Sequence, residues 1–188
     1  MRVGILPRFE KSTYNQEWMV FEIDLVKFFT GNKCEVTLIN SLDKPTLSKI
    51  DLLVLSGGAT PGSDLYRDKL EKEIYADAKK NNKYVLGICR GAQLMAKISG
   101  SELVKISEHL NQERKLFEID HSMGICFHNW SIRNLGPEWE IIARDSLDNS
   151  IEIFRHKNVK HVGVMSHPER KKDNQLGFEK LMELLIND

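Results

Sequence analysis

The chain has 188 residues, 41% apolar and 29% charged, enough for one domain with a single core. Lysine plus arginine and aspartate plus glutamate both number 27, so the formal charge is zero and no global basic field draws the chain to nucleic acid or an anionic membrane. No apolar run nears the roughly 20 residues of a membrane span, MRVGILPRFE is no signal peptide, and three cysteines without a CxxC fit a reducing, cytoplasmic setting better than a disulfide framework.

Val3 to Leu6 reads as a short buried strand and Pro7 to Gln16 as a polar loop. Asn15 caps a predicted helix on which Trp18, Phe21, Leu25 and Phe28 recur at helical spacing, ending at Gly31 and Asn32. Glu35 to Ile39 is a second strand, and residues 40–50 form a connector containing Pro45. DLLVL at 51–55 is continuously apolar, as strands buried on both faces are, and runs into Ser56-Gly57-Gly58. A helix over Asp68 to Lys80 carries Leu70, Ile74 and Ala78 on one stripe and stops at Asn81-Asn82. Tyr84 to Ile88 is the next buried strand, and Gly91 to Ile98 the next helix, ended by Gly100. This alternation predicts an α/β fold, a doubly wound and mostly parallel sheet with helices on both faces. Beyond Gly100 the pattern changes. Leu116–Ile119, Ile125–Phe127, Glu140–Ala143 and Ile151–Phe154 read as short strands of an antiparallel section on the same sheet. Val162 to Met165 is a last buried strand and Phe178 to Ile186 a terminal helix. No repeat or linker divides the chain, so residues 1–188 are read as one domain.

VLGICRGAQLM at 85–95 carries the strand to Cys89 and turns into an amphipathic helix. Gly87 and Gly91 flank Cys89 at two residues either side, the spacing of a strand–nucleophile–helix corner with cysteine as the nucleophile. Such a corner pushes one side chain out at the carboxyl end of the sheet, and the helix start favours a thiolate. Taken alone, GxCxG fits a small buried core cysteine about as well. A thiolate also needs a base, and the base an orienter. VGVMSHPE supplies both: His167 and Glu169 follow a buried strand on one side of an extended chain, with Pro168 disfavouring helix at His167. An oxyanion hole needs backbone N–H groups beside the nucleophile. Arg90 offers one and Gly58, in the loop leaving a neighbouring strand, the second, although a glycine pair alone is equally a plain turn.

With SGGA, GICRGAQ and HPE in place, the chain resembles a class I glutamine amidotransferase domain. It is most similar to the free-standing γ-glutamyl hydrolases of the peptidase C26 group. The likeness extends to Tyr66, Arg67 and Asp68 after the glycine loop, Gln93 in the elbow motif, and NLGPEWEIIARDSLDNSIEIF at 134–154. It implies a flavodoxin-like sheet and a Cys89–His167–Glu169 triad. It further implies attack on the δ-carbonyl of a γ-glutamyl group, a glutamyl thioester opened by water, and neither metal nor organic cofactor. Gly57 and Gln93 are implied as contacts of the glutamyl moiety. Where the group carries His-His-Gln, this chain has Phe127-His128-Asn129, which keeps His128 alone as a substrate contact.

As a short free-standing member, the chain is similar to hydrolases that split γ-glutamyl-CDP-amidate into glutamate and cytidine diphosphoramidate in bacterial capsule phosphoramidate synthesis. A diphosphate needs cations at the pocket mouth, and Arg8 and Arg170 are the candidates; the Arg90 side chain is left between that role and an ion pair beside the elbow. Arg170 also opens a basic run with Lys171 and Lys172, read as a solvated loop. The expected partner is a small γ-glutamyl molecule, without nucleic acid, membrane or obligatory protein partner. The rivals are a glutaminase subunit passing ammonia to a synthetase, a hydrolase of γ-glutamyl-GABA or folyl-polyglutamate, and a stress protein with an elbow cysteine on this architecture. A zinc site is a fourth. The six histidines form no HxxxH, and only Cys126 and His128 stand close, so the histidines are read as core or surface residues and Cys34 and Cys126 as structural.

Overall fold

Every side chain of the strand Leu52–Leu55 is buried, and the two sides of that strand feed two different cores. Leu52 and Val54 pack in one cluster with Leu25, Phe29, Leu181 and Leu185, and Leu53 and Leu55 pack in the other with Ile74, Ala78, Met95 and Ala96. A period of two on a strand covered on both faces gives this three-layer arrangement. The computed structural model describes residues 1–11, 13–39, 47–115, 122–170 and 176–186.

In chain order the strands are β1 (Arg2–Ile5), β2 (Arg8–Lys11), β3 (Glu17–Val20), β4 (Glu35–Leu38), β5 (Leu52–Leu55), β6 (Tyr84–Ile88), β7 (Glu102–Lys105), β8 (Leu110–Lys115), β9 (Met123–Phe127), β10 (Trp130–Arg133), β11 (Trp139–Arg144), β12 (Ile151–His156) and β13 (His161–Val164). The helices are α1 (Ile23–Gly31), α2 (Leu65–Lys80), α3 (Arg90–Ile98) and α4 (Phe178–Ile186). The main sheet runs β11-β12-β13-β6-β5-β1-β4. Its pairings are parallel from β4 through β13, and β12 and β11 add on antiparallel at the other edge. Helices α1 and α4 cover one face and α2 and α3 the other. The doubly wound, mostly parallel sheet is thus the fold of this chain, and its antiparallel edge is where the sequence places it.

Three expectations change. The helix foreseen from Asn15 starts at Ile23 instead: Asn15 takes φ 60 in the turn of a hairpin that pairs Phe9 with Met19 and Glu10 with Trp18. Trp18 is accordingly 56% exposed, and the buried face of α1 is Leu25 and Phe29. Strand pairing won over a helical spacing that one exposed aromatic happened to complete. Ile125–Phe127 does form a strand, but it pairs with β8 in a separate ladder, and β7 pairs with β10 in another. Helix α2 opens three residues early, with Asp64 as its cap accepting from the Arg67 N–H at 3.0 Å. The strand foreseen at 116–119, connector residues 40–46, Lys171 and Lys172 lie outside the described residues.

Candidate active site

Adjacent strands β5, β6 and β13 end side by side, which brings Gly57, Cys89 and His167 to one sheet edge. Cys89 caps α3 with φ 50 and ψ −101, a sparsely populated conformation for a residue with a Cβ. The corner is held on both sides. The Cys89 N–H donates to the Val164 carbonyl at 2.7 Å, and a Cβ on Gly91 would collide with the Leu55 carbonyl. The elbow is therefore built as its spacing implies. The thiol, expected to stand exposed, is enclosed: Cys89 is only 5% accessible.

His167 reaches the corner from β13, its own N–H donating to the Ile125 carbonyl at 2.9 Å. Its Nδ1 lies 2.6 Å from Glu169 Oε1. The carboxylate accepts, so Nδ1 is the donor and Nε2 is left for Cys89, to which the ring is hydrogen-bonded. Burial works against charge on His167, but the hydrogen bonds and charges of Cys89 and Glu169 outweigh it and push the imidazole up to about 10. Phe127 meets the ring edge-on at 5.7 Å. Gly57, implied as a substrate contact, abuts this ring: a Cβ there would stand 2.9 Å from His167 Cε1.

Gly58 adopts φ +140, a conformation open to glycine. Arg67 fixes the preceding loop, donating through Nη2 to the Ser56 and Gly57 carbonyls, each at 3.1 Å. The Arg67 Nε donates to Glu71 Oε1 at 2.7 Å, and Arg90 donates to Glu71 Oε2 and, at 2.5 Å, to Asp68 Oδ1. Asp68 Oδ2 in turn accepts from the Gly62 N–H at 2.6 Å. The Arg90 side chain thus serves a buried ion network tying α2 and the glycine loop to the elbow. Its backbone N–H, in the first turn of α3, has no partner within the helix and is available as an oxyanion donor.

Gly58 and Arg90 line a cleft of about 900 Å³, walled on the far side by Arg8, Phe9 and Lys11 of β2 and by Tyr66. Phe9 and Tyr66 meet edge to face at 5.3 Å. Arg8 borders this cleft while pairing with Glu10 and Glu22, both at 2.7 Å. Arg170 lies over the Phe127 ring at 4.2 Å and also reaches Glu22, at 3.5 Å. Glu22 escaped the sequence reading. Its carboxylate comes within 4.8 Å of ligand atoms of both His167 and Glu169 and joins Arg8 and Arg170 to that pair. Gln93 and His128 converge on the Trp130 carbonyl at 3.0 and 3.2 Å; like Cys89, His167, Glu169 and Arg170, neither is among the residues that line the cleft, which meets the elbow at Gly58 and Arg90. Glu71 was likewise missed, although its i, i+4 relation to Arg67 is a signal.

The glutamine amidotransferase class-I pattern matches residues 25–181. The γ-glutamyl-CDP-amidate hydrolase of Campylobacter jejuni is 30% identical over 162 residues, 81% of this chain and 77% of that protein. A glutamine-hydrolyzing GMP synthase subunit of Thermoplasma volcanium is 30% identical over 141 residues, 69% of this chain and 68% of that one. Among solved structures, PurLQS of Thermotoga maritima shares the fold with a TM-score of 0.73 at 18% identity, covering 99% of this chain and 97% of that one. The chain belongs to the class I glutamine amidotransferase family and is an amidohydrolase of that type.

Proposed function

We propose that Cys89, His167 and Glu169 form the catalytic triad of a γ-glutamyl hydrolase whose substrate is γ-glutamyl-CDP-amidate, cleaved to glutamate and cytidine diphosphoramidate in bacterial capsule phosphoramidate synthesis. The carrying observation is the strained cysteine elbow facing a histidine whose other nitrogen is held at 2.6 Å by a buried carboxylate. His167 Nε2 takes the Cys89 proton, and the sulfur attacks the γ-glutamyl carbonyl. The N–H groups of Gly58 and Arg90 receive the oxyanion. His167 then protonates the leaving nitrogen, the C–N bond breaks, and a glutamyl thioester remains. Water, deprotonated by the same imidazole, opens the thioester and frees glutamate and the thiol.

Three features support a nucleotide on the leaving side. The cleft is larger than glutamine alone requires, Phe9 and Tyr66 offer ring surfaces to a base, and Arg8 stands at its wall. The test is glutamate release by the purified chain from γ-glutamyl-CDP-amidate, γ-glutamyl-GABA and glutamine. The expected order puts kcat/KM for the nucleotide about 10²-fold or more above the others. Equal rates would refute the nucleotide assignment. Arg8→Ala should raise KM for the nucleotide substrate and leave that for glutamine unchanged.

A second reading, a glutaminase subunit feeding ammonia to a synthetase, is favoured by the GMP synthase relative and by the fold shared with PurLQS. It predicts almost no turnover of any substrate until a partner is added.

A further inference from the structure

Behind His167, four side chains converge from separate elements: His109 ahead of β8, Cys126 of β9, His128 after it and Glu152 of β12. All are buried, at 0%, 0%, 3% and 0% exposure, and one ligand atom from each lies within 4.8 Å of the others. Each edge to the carboxylate is short. His109 Nδ1 is 3.6 Å from Glu152 Oε1, His128 Nε2 is 3.4 Å from the same oxygen, and Cys126 Sγ is 3.5 Å from Oε2. A tetrahedral zinc with N, O and S ligands has ligand–ligand edges of about 3.3 to 3.6 Å.

The hydrogen bonds on the outer side fix which nitrogen faces inward. The Trp130 carbonyl can only accept, so His128 Nδ1, 3.2 Å away, carries the hydrogen and Nε2 presents a lone pair. His109 Nε2 lies 2.6 Å from Asp148 Oδ2, which by the same reasoning leaves a lone pair on Nδ1. Both inward nitrogens are buried without a hydrogen-bond partner. Two lone pairs thus point at one carboxylate, an arrangement that repels unless a positive charge sits between them. Carboxylate–histidine and carbonyl–histidine pairs of this kind are what orient imidazoles around a metal.

We propose that His109, Cys126, His128 and Glu152 form a closed, structural site for one zinc ion. The cysteine proton is released to solvent as the Zn–S bond forms, with no change of oxidation state. One thiolate, one carboxylate and two neutral imidazoles balance the dication, so the buried site is neutral. Four protein ligands leave no open position for chemistry. The ion would instead brace the histidine of the elbow. Ile125, next to Cys126, accepts from the His167 N–H, and the Glu152 carbonyl accepts from the Met165 N–H at 2.8 Å. The proposal departs from the sequence reading, which takes His109 as a core or surface residue, Cys126 as structural and His128 as a substrate contact.

The experiment is metal analysis of the purified chain, followed by cobalt(II) titration of the chelator-stripped protein. The expected result is about one zinc per chain and a tetrahedral cobalt spectrum with a near-ultraviolet thiolate charge-transfer band. The band should persist in Cys89→Ser and vanish in Cys126→Ser, with His109→Gln losing the metal while keeping a native circular dichroism spectrum. A native chain that carries no zinc and gives no cobalt band would overturn the proposal, the two rings then being satisfied by protons. So would a band that is lost in Cys89→Ser and kept in Cys126→Ser, which would place the metal on the catalytic thiol. The native titration and the Cys89→Ser arm stand even where the Cys126 variant fails to fold.

Discussion

Replacing Gly57 with alanine tests whether the His167 imidazole, the base of the proposed triad, is positioned as tightly as the structure implies. A methyl on Gly57 would sit 2.9 Å from His167 Cε1, where ordinary contacts begin at 3.4 Å, so ring or loop must yield by about half an ångström. Neither yields freely. The ring is tethered to Glu169 at 2.6 Å, and the carbonyls of Ser56 and Gly57 are each held by Arg67 at 3.1 Å. Gly57 does not use a left-handed backbone, so alanine brings no added torsional cost. A misplacement of about 1 Å costs roughly 10²-fold in rate, so half of it predicts about a tenfold fall in kcat, near 1.4 kcal/mol on the barrier. KM should stay near its native value, while the forced shift should lower stability by about 1–3 kcal/mol and move the urea midpoint down. Steady-state glutamate release, with a urea melt of the same preparation, reads both. A kcat within about twofold of native would refute the packing argument, and a tenfold rise in KM at unchanged kcat would make Gly57 a substrate contact instead.

Cys89→Ala should cut turnover to the background level in the same glutamate assay while the fold persists; substantial activity would sink the triad. Glu71→Leu removes the carboxylate shared by two buried guanidinium groups, leaving Arg90 to Asp68 and Arg67 to the loop carbonyls, and should cost about 3–5 kcal/mol by urea titration; a loss under 1 kcal/mol would show that the network is not holding the elbow. His167 titrates at about 10 in the fold against 6.5 in an unfolded chain, so the native state binds this proton more tightly. That stabilisation is complete below pH 6.5 and is lost as pH rises through 10. The urea midpoint of the native chain should therefore fall between pH 7 and 10 by more than that of His167→Gln, and parallel curves would count against the raised imidazole.

What was legible in the sequence follows from how local its cause is. Strand β6, the elbow and helix α3 were readable because a buried strand, a corner with small neighbours and an amphipathic helix each leave their signal within a few residues. The same holds for α4, whose bounds agree with the periodicity. Strands β7, β8 and β10 went unread because each pairs in a two-stranded ladder half open to water, where apolar alternation is weak. The histidine–cysteine–glutamate cluster is non-local in the same way. Its members come from positions 109 to 152; Cys126 and His128 stand two residues apart, but no spacing motif joins that pair to His109 and Glu152.

The Arg90 side chain shows how a non-local feature can still leave a local trace. On α2, the apolar stripe through Ile74 and Ala78 continues toward the helix start as Glu71 and Arg67, at the helical intervals of three and four residues. Four buried positions on one stripe, two of them ionic, cannot face a purely apolar partner without a large desolvation cost. The stripe therefore demands a buried counter-charge on whatever it packs against, and α3, the helix beside it, offers Arg90 in its first turn. Glu71 between Arg67 and Arg90 meets that demand, and Asp68 balances the second guanidinium. The charge next to Cys89 is thus accounted for by the face of a helix some twenty residues earlier. What that pairing leaves for catalysis at this position is the backbone N–H, held in place by the ion network its own side chain completes.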